Sequence, residues 1–211
     1  QTMRGVVVLA LEGGLAELDD TTRKTAVTNH YKWVEAAKTL GCHSIRVNAY
    51  GVSDDGAALH TAAVDGLGML ASFAEKMGIN VIVENHGGLS SDGKWLAGVI
   101  KEINMPGCGT LPDFGNFCLK HTDDGMGHSN CVEEYDRYQG VAELIPFAKA
   151  VSAKSYDFDA AGNETTIDYT RMISIVKKSS YKGYLGVEYE GSRLSEYDGI
   201  KATKKLLERL I

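Results

Sequence analysis

The chain has 211 residues, of which 44% are hydrophobic and 24% charged, and this ordinary composition excludes a largely disordered protein. Its formal net charge of −6 argues against a nucleic-acid partner, because phosphates demand a basic surface. The longest apolar run, Val6–Leu11, is too short to span a membrane. The four cysteines form no CxxC pair, so we expect reduced structural thiols. These features predict a single domain over residues 1–211 in the cytoplasm.

Short strand-like runs alternate with longer amphipathic segments along the chain. The predicted strands are Gly5–Glu12, Ser44–Tyr50, Asn80–His86, Thr110–Phe114, Ala150–Tyr156 and Tyr184–Glu190. The predicted helices are Thr22–Leu40, Asp54–Met77, Asp92–Ile103, Val132–Lys149, Ile167–Ser179 and Ser195–Leu210. This alternation predicts an α/β fold with parallel strands and right-handed crossovers, in either a barrel or a doubly wound sheet.

Glycines punctuate this pattern. Gly41, Gly78 and Gly183 fall between a predicted helix and the next strand, where a left-handed residue ends many helices. The turn after the first strand reads EGGLAELDD, which lacks the GxGxxG of a dinucleotide-binding fold, and no phosphate-binding GxxxxGK[ST] occurs. Residues 120–130 are predicted to form a long loop, either a lid or a plain excursion. We leave the role of His121 open and expect His128 to lie in plain loop.

Polar side chains gather where the predicted strands end. Within a strand, residues two apart point to the same face, so each strand presents its polar residues together. A buried carboxylate is costly unless it is paired or bound to a cation, and converging oxygen ligands suit Mg²⁺ or Mn²⁺. The alternatives are solvated charges at the strand ends or internal salt bridges, such as Arg46 with Glu84. The residues concerned are Arg46, Asn48, Glu84, His86, Asp113, Ser152, Lys154, Glu188 and Glu190.

Several segments together resemble the xylose isomerase-like TIM-barrel superfamily, which comprises sugar (phosphate) isomerases and epimerases and endonuclease IV-like proteins. The segments are LGCHSIRVNAYG (40–51), INVIVENHGG (79–88), GTLPDFGNF (109–117), YDRYQGVAELIPFAKAVSAKSYDFD (135–159) and GYLGVEYEG (183–191). The resemblance implies a TIM (β/α) barrel with about six of the usual eight units, shortened at the amino-terminal side. Such a barrel has two strand edges, which we expect to be covered by another chain or by strands exchanged between subunits of a homo-oligomer.

The same resemblance implies a divalent metal site for Mn, Mg, Co or Zn. Its four ligand positions correspond to Glu84, Asp113, Ser152 and Glu188, of which Ser152 departs from the histidine usual in the family. Glu84 and Glu188 would transfer protons, and Lys154 would stabilise negative charge. The expected substrate-binding residues are Arg46, Asn48, His86 and Glu190.

The implied activity is a metal-dependent isomerase or epimerase of a small sugar or sugar phosphate, which acts by α-proton abstraction through a metal-stabilised enediolate. Two alternatives stay open: a keto-sugar lyase or deglycosidase with the same α-proton chemistry, and a non-catalytic sugar-binding barrel with a degenerate metal site. An endonuclease IV-like role is less expected, because the chain is acidic and lacks the many histidine ligands of that branch.

Overall fold

The computed structural model describes residues 7–123 and 129–211. In this part of the chain, six parallel strands form a continuous arc, and two further strands form a separate antiparallel hairpin. The strands are β1 (Val7–Leu9), β2 (Ser44–Val47), β3 (Asn80–Glu84), β4 (Cys108–Leu111), β5 (Cys118–Asp123), β6 (Ser129–Glu134), β7 (Val151–Ser155) and β8 (Leu185–Tyr189).

The arc runs in the order β1-β2-β3-β4 and continues into β7 and β8. Parallel bridges from Thr110 to Ala148 and from Asp113 to Ser152 join the two parts. The six predicted strands are therefore all present, and the predicted α/β-barrel fold is confirmed. Because β1 and β8 each pair on one side only among the described residues, they are the edges of the arc.

Six α-helices follow the parallel strands in alternation. A side-chain oxygen of the preceding residue accepts a backbone N–H at the start of every one, which satisfies a donor that the helix itself leaves unpaired. The helices are α1 (Asp20–Leu40), α2 (Gly56–Glu75), α3 (Gly93–Ile103), α4 (Arg137–Leu144), α5 (Tyr169–Lys178) and α6 (Glu196–Leu210).

The predicted left-handed glycines are correct at two of three positions. Gly41 ends α1 with a φ of 72°, and Gly78 follows α2 with a φ of 69°, conformations that glycine adopts without a Cβ clash. Gly183 has no positive φ. It lies several residues beyond α5, whose last turn ends at the extended Ser179.

Residues 118–134 correct the sequence-based interpretation. Most of this segment was predicted to be loop, and the helix after it to begin at Val132, but β5 and β6 pair as a hairpin and α4 begins at Arg137. A disulfide joins Cys118 to Cys131 across the hairpin, so the prediction of reduced thiols is wrong for this pair. Cys42 and Cys108 are buried free thiols. His128 lies outside the described residues. Because disulfides are typical of oxidising compartments, the cytoplasmic location stays a prediction.

One helix in the described part, α2, is long and apolar enough by length and composition to cross a membrane. Its apolar residues Ala63, Leu67 and Leu70 are fully buried, and the helix packs against α1, α3 and the strands of the arc. A core helix of a barrel meets the same two criteria, and α2 occupies that position.

Candidate active site

Parallel pairing brings the polar strand ends to one end of the arc. Arg46 of β2 lies beside Ile82 of β3, two residues before Glu84, and Glu84 lies beside Leu111 of β4. The order continues through the bridge between Asp113 and Ser152, and Lys154 of β7 pairs with Glu188 of β8. A shared direction and register, rather than proximity in sequence, thus assembles the site.

Three carboxylates form its centre. Glu84, Asp113 and Glu188 each offer an oxygen, and these oxygens all lie within 4.8 Å of one another. Asp113 is completely buried and Glu84 almost so, whereas Glu188 is partly exposed. The structure therefore brings together the three acidic residues that were predicted as metal ligands.

Of the three carboxylates, Asp113 is the one whose charge is most costly to bury. Its Oδ1 accepts backbone N–H groups from Gly115 and Asn116, but its buried Oδ2 has no hydrogen-bond partner. Burial raises the pKa of Asp113 to about 7, although the positive charge of Lys154 opposes this effect. A buried carboxylate oxygen without a donor is costly, and a cation would satisfy it.

Two buried cations lie among the carboxylates, as the salt-bridge alternative requires. The Arg46 side chain forms an ion pair with Glu84, which is buried with it. Burial raises the pKa of Glu84, and this arginine partly offsets the effect. This ion pair leaves Asp113 Oδ2 without a hydrogen-bond partner.

Lys154 is the second cation. Its Nζ lies 2.9 Å from Glu190, 3.3 Å from Glu188 and 4.0 Å from Asp113. Burial alone lowers the pKa of Lys154, but the neighbouring carboxylates outweigh this effect and raise it above its ordinary value. Four carboxylates against two cations leave a formal charge of −2, which one divalent ion would neutralise. The donor set and its charge therefore fit a divalent metal.

Ser152 stands at the ligand position where the family resemblance implies a histidine. Its hydroxyl donates a hydrogen bond of 2.7 Å to Glu188 Oε2. Burial tends to raise the pKa of Glu188, but the bonds from Ser152 and Lys154 outweigh it and hold the pKa below its ordinary value. The Ser152 hydrogen bond thus favours the ionised form of Glu188 and holds its Oε2 in place.

Two asparagines that the sequence reasoning missed organise the same region. Asn116 Nδ2 donates to Glu84 at 3.0 Å, and Asn116 Oδ1 accepts from Lys154 at 3.0 Å. Asn85 accepts from the backbone N–H of Asp113 and donates to the carbonyls of Asp113 and Asn116. The visible signal is that each asparagine lies one to three residues from a predicted acidic ligand.

The predicted substrate-binding residues occupy different positions. Glu190 is half exposed and bound to Lys154, and Asn48 has a buried Oδ1 without a partner. His86 is exposed and offers no atom to the three-carboxylate centre. Desolvation and the charges of Arg46 and Lys154 lower its pKa.

Two cavities flank this end of the arc beneath the hairpin. One has a volume of about 420 Å³ and is lined in part by Asn116 and Tyr156. The other has a volume of about 850 Å³ and is lined in part by Ala49 and Tyr50, the two residues that follow Asn48 in the sequence. His86 and His121 line both, so His121, whose role was left open, shares these two cavities with His86. The hairpin supplies walls to each cavity.

The fold is similar to that of several solved structures. One is 3-keto-D-glucoside 4-epimerase YcjR from E. coli, with a TM-score of 0.75, 15% identity, and coverage of 98% of this chain and 80% of that chain. Another is a xylose isomerase-like TIM barrel protein from Mycobacterium smegmatis in complex with magnesium, with a TM-score of 0.65, 17% identity, and coverage of 97% and 72%.

A curated relative matches a shorter stretch. The C-glycoside deglycosidase alpha subunit of Arthrobacter globiformis is 39% identical over 66 residues, which are 30% of this chain and 19% of that relative. The match thus spans about a fifth of that protein. A family model described as xylose isomerase-like TIM barrel matches residues 2–211. The chain belongs to the xylose isomerase-like TIM barrel family.

Proposed function

We propose that this protein is a metal-dependent epimerase or isomerase that moves a proton at the carbon beside the carbonyl of a small sugar. The observation that carries the proposal is the convergence of three carboxylates around the unpartnered Asp113 Oδ2. The epimerase and magnesium complex among its structural relatives support the same reading of the site.

The residues that would hold the metal are Glu84, Asp113 and Glu188. A divalent ion bound there would polarise the sugar carbonyl and stabilise negative charge on its oxygen. Asn85 and Asn116 keep these carboxylates in place, and Lys154 adds a fixed positive charge beside them.

Proton transfer is assigned to Glu84 and Glu188, which extend from strands on opposite sides of Asp113. One carboxylate removes the proton next to the carbonyl, and the other returns a proton to the resulting carbanion or oxygen. Their environments differ, since the pKa of Glu84 is raised and that of Glu188 lowered. Such a separation is typical of an acid and base that work as a pair.

The substrate is a sugar whose hydroxyls contact Asn48, His86 and Glu190. Arg46 is assigned to hold Glu84, with which it forms an ion pair, and to bind a hydroxyl or phosphate of the substrate. Both cavities beneath the hairpin have room for a sugar with a substituent, since small-ligand sites usually enclose roughly 300–1,000 Å³.

The direct test incubates ketoses and 3-keto-glucosides with the Mn²⁺-loaded protein in D₂O and follows deuterium entry at the carbon beside the carbonyl by NMR. We expect exchange with the wild type, and a loss of about 100-fold or more in Glu84→Gln and Glu188→Gln. Glu75→Gln, which changes an exposed carboxylate on α2, is the matched control and should retain full exchange. Sugar binding without exchange would instead identify a non-catalytic binding barrel.

The deglycosidase relative supports a second candidate, a lyase on 3-keto-glycosides. Removal of the α-proton breaks a C–H bond, a C=C bond forms, and the bond to the aglycone breaks, with the proton passing to the departing group. A 3-keto-glycoside separates the candidates, because an epimerase returns an isomer that retains its aglycone, whereas a lyase releases the free aglycone.

A further inference from the structure

We propose that the metal site is built from oxygen ligands alone and belongs to the Mg²⁺ and Mn²⁺ class, with Ser152 acting as a positioning residue for Glu188. This inference rests on the proposed function, because it concerns the same site. It differs from the family pattern, in which a histidine nitrogen occupies the Ser152 position.

The position of Ser152 supports the first part. Its backbone bridges Asp113 on one side and pairs with Gly186 of β8 on the other, so its side chain lies between two of the three carboxylate-bearing strands. The hydroxyl is committed to Glu188 Oε2 at 2.7 Å. A neutral hydroxyl is a weak ligand, whereas its hydrogen bond fixes the orientation of a strong one.

No nitrogen or sulfur ligand replaces the missing histidine. Among the described residues, no histidine or cysteine places a ligand atom within the group formed by Glu84, Asp113 and Glu188. The side-chain nitrogens that do lie there belong to Arg46, Lys154 and the Asn116 amide. The first two are cations and the third is an amide N–H donor, so none of them offers a lone pair to a metal. The coordination that the chain supplies is therefore anionic oxygen.

The chemical type of the ligand atoms determines which metal ion the site prefers. Carboxylate, carbonyl and water oxygens suit Mg²⁺ and Mn²⁺, whereas imidazole favours Zn²⁺ and neighbouring transition metals. Zn²⁺ binds most mixed sites more tightly than Mn²⁺ does, so the informative quantity is the ratio of the two affinities. Without an imidazole this ratio should be small.

The first test is pulsed electron paramagnetic resonance of the full chain loaded with Mn²⁺. We expect no nitrogen modulation of the kind produced by a directly bound imidazole. Such modulation in the wild type would overturn the proposal, because it would reveal a histidine ligand.

The second test compares Ser152→His with Ser152→Ala by competitive titration of Zn²⁺ and Mn²⁺. Histidine restores a nitrogen donor, so the ratio of Zn²⁺ to Mn²⁺ affinity should rise at least about tenfold above that of the wild type. Alanine only removes the bond to Glu188, so both affinities should fall together and leave the ratio within about twofold. An unchanged ratio in Ser152→His would overturn the proposal.

These results are distinguishable from failure of the proposed function. Metal binding is measured without substrate, whereas the function is tested by deuterium exchange. If a histidine imidazole binds the metal and deuterium exchange still depends on Glu84, the proposed enzyme function is supported and the oxygen-only site is refuted. If Mn²⁺ binds to oxygen ligands alone and no deuterium exchange occurs, the oxygen-only site is supported and the proposed enzyme function is refuted.

Discussion

At the scale of single residues, Asp113 shows that a buried carboxylate suited to binding a metal lowers the stability of the metal-free fold. Its side chain is fully buried, and one oxygen has no donor, so ionisation inside the fold is unfavourable. The folded protein therefore holds the proton up to a pKa of about 7, while an unfolded aspartate releases it near 3.9. In the metal-free protein, the contribution of Asp113 to stability is thus fully present below the unfolded pKa and is lost as the pH rises through about 7.

Asp113→Asn should remove this pH dependence. The amide oxygen can still accept the N–H groups of Gly115 and Asn116, and position 113 no longer carries a charge that can be buried. We expect the metal-free variant to melt at or above the wild-type temperature at pH 8, and the two proteins to converge near pH 5. Scanning calorimetry in EDTA measures this, and an equal loss of stability at both pH values would contradict it.

The acidic centre was predictable from the sequence, because Glu84, Asp113 and Glu188 all lie at the ends of apolar runs that a parallel sheet aligns. Asn85 and Asn116 were not. Their roles depend on hydrogen bonds between the β3 and β4 ends, and such contacts leave no periodic pattern in the sequence. Only the fold places them beside the carboxylates.

At the scale of elements, the hairpin of β5 and β6 is the largest departure from the sequence-based expectation. Its strands are mainly polar, so no hydrophobic pattern marks them, and the intervening glycines favoured a loop. Among the parallel strands, β1 and β3 were predictable because each lies in a continuous apolar run, which is typical of a strand buried on both faces. The disulfide between Cys118 and Cys131 could not be inferred without the pairing that brings them together.

Breaking the disulfide with Cys118→Ser and Cys131→Ser should loosen the hairpin. The cysteines are 13 residues apart, and crosslinks that close loops of this size contribute about 3 kcal/mol in the chain-entropy description. Because the hairpin lines both cavities but holds none of the three carboxylates, we expect KM to rise about 3–10-fold and kcat to stay within about twofold.

Steady-state kinetics on the substrate found by deuterium exchange would measure this effect. The reduced wild-type protein provides a second comparison, since it carries the same broken link without a substitution. A selective fall in kcat would show that the hairpin acts on proton transfer and would contradict its assignment as a binding wall.

At the scale of the whole molecule, the arc formed by residues 7–123 and 129–211 has six strands and two edges rather than a closed ring. Apolar side chains are exposed at both edges: Leu9 is 66% and Leu11 63% exposed on the β1 side, and Tyr197 is 68% exposed on α6, beside β8. Unpaired strand edges with exposed apolar groups favour association with another chain.

We therefore predict that the chain forms a homo-oligomer through these edges. Light scattering coupled to gel filtration at micromolar concentration should give at least twice the chain mass of 22.8 kDa. Leu9→Lys together with Tyr197→Lys should shift the protein toward the monomer, and Leu40→Lys, at an exposed position on α1, is the matched control. A wild type that stays monomeric would contradict this prediction.

The central claim is that the strand-end carboxylates form a divalent-metal site. Anomalous diffraction from crystals soaked in Mn²⁺ tests it most directly. We predict one strong peak bounded by Glu84, Asp113 and Glu188, with Asp113 Oδ2 in contact with the ion and Lys154 retained beside it. A map without a peak there at saturating Mn²⁺, with Lys154 alone neutralising the carboxylates, would contradict the claim and leave the site an internal salt-bridge network.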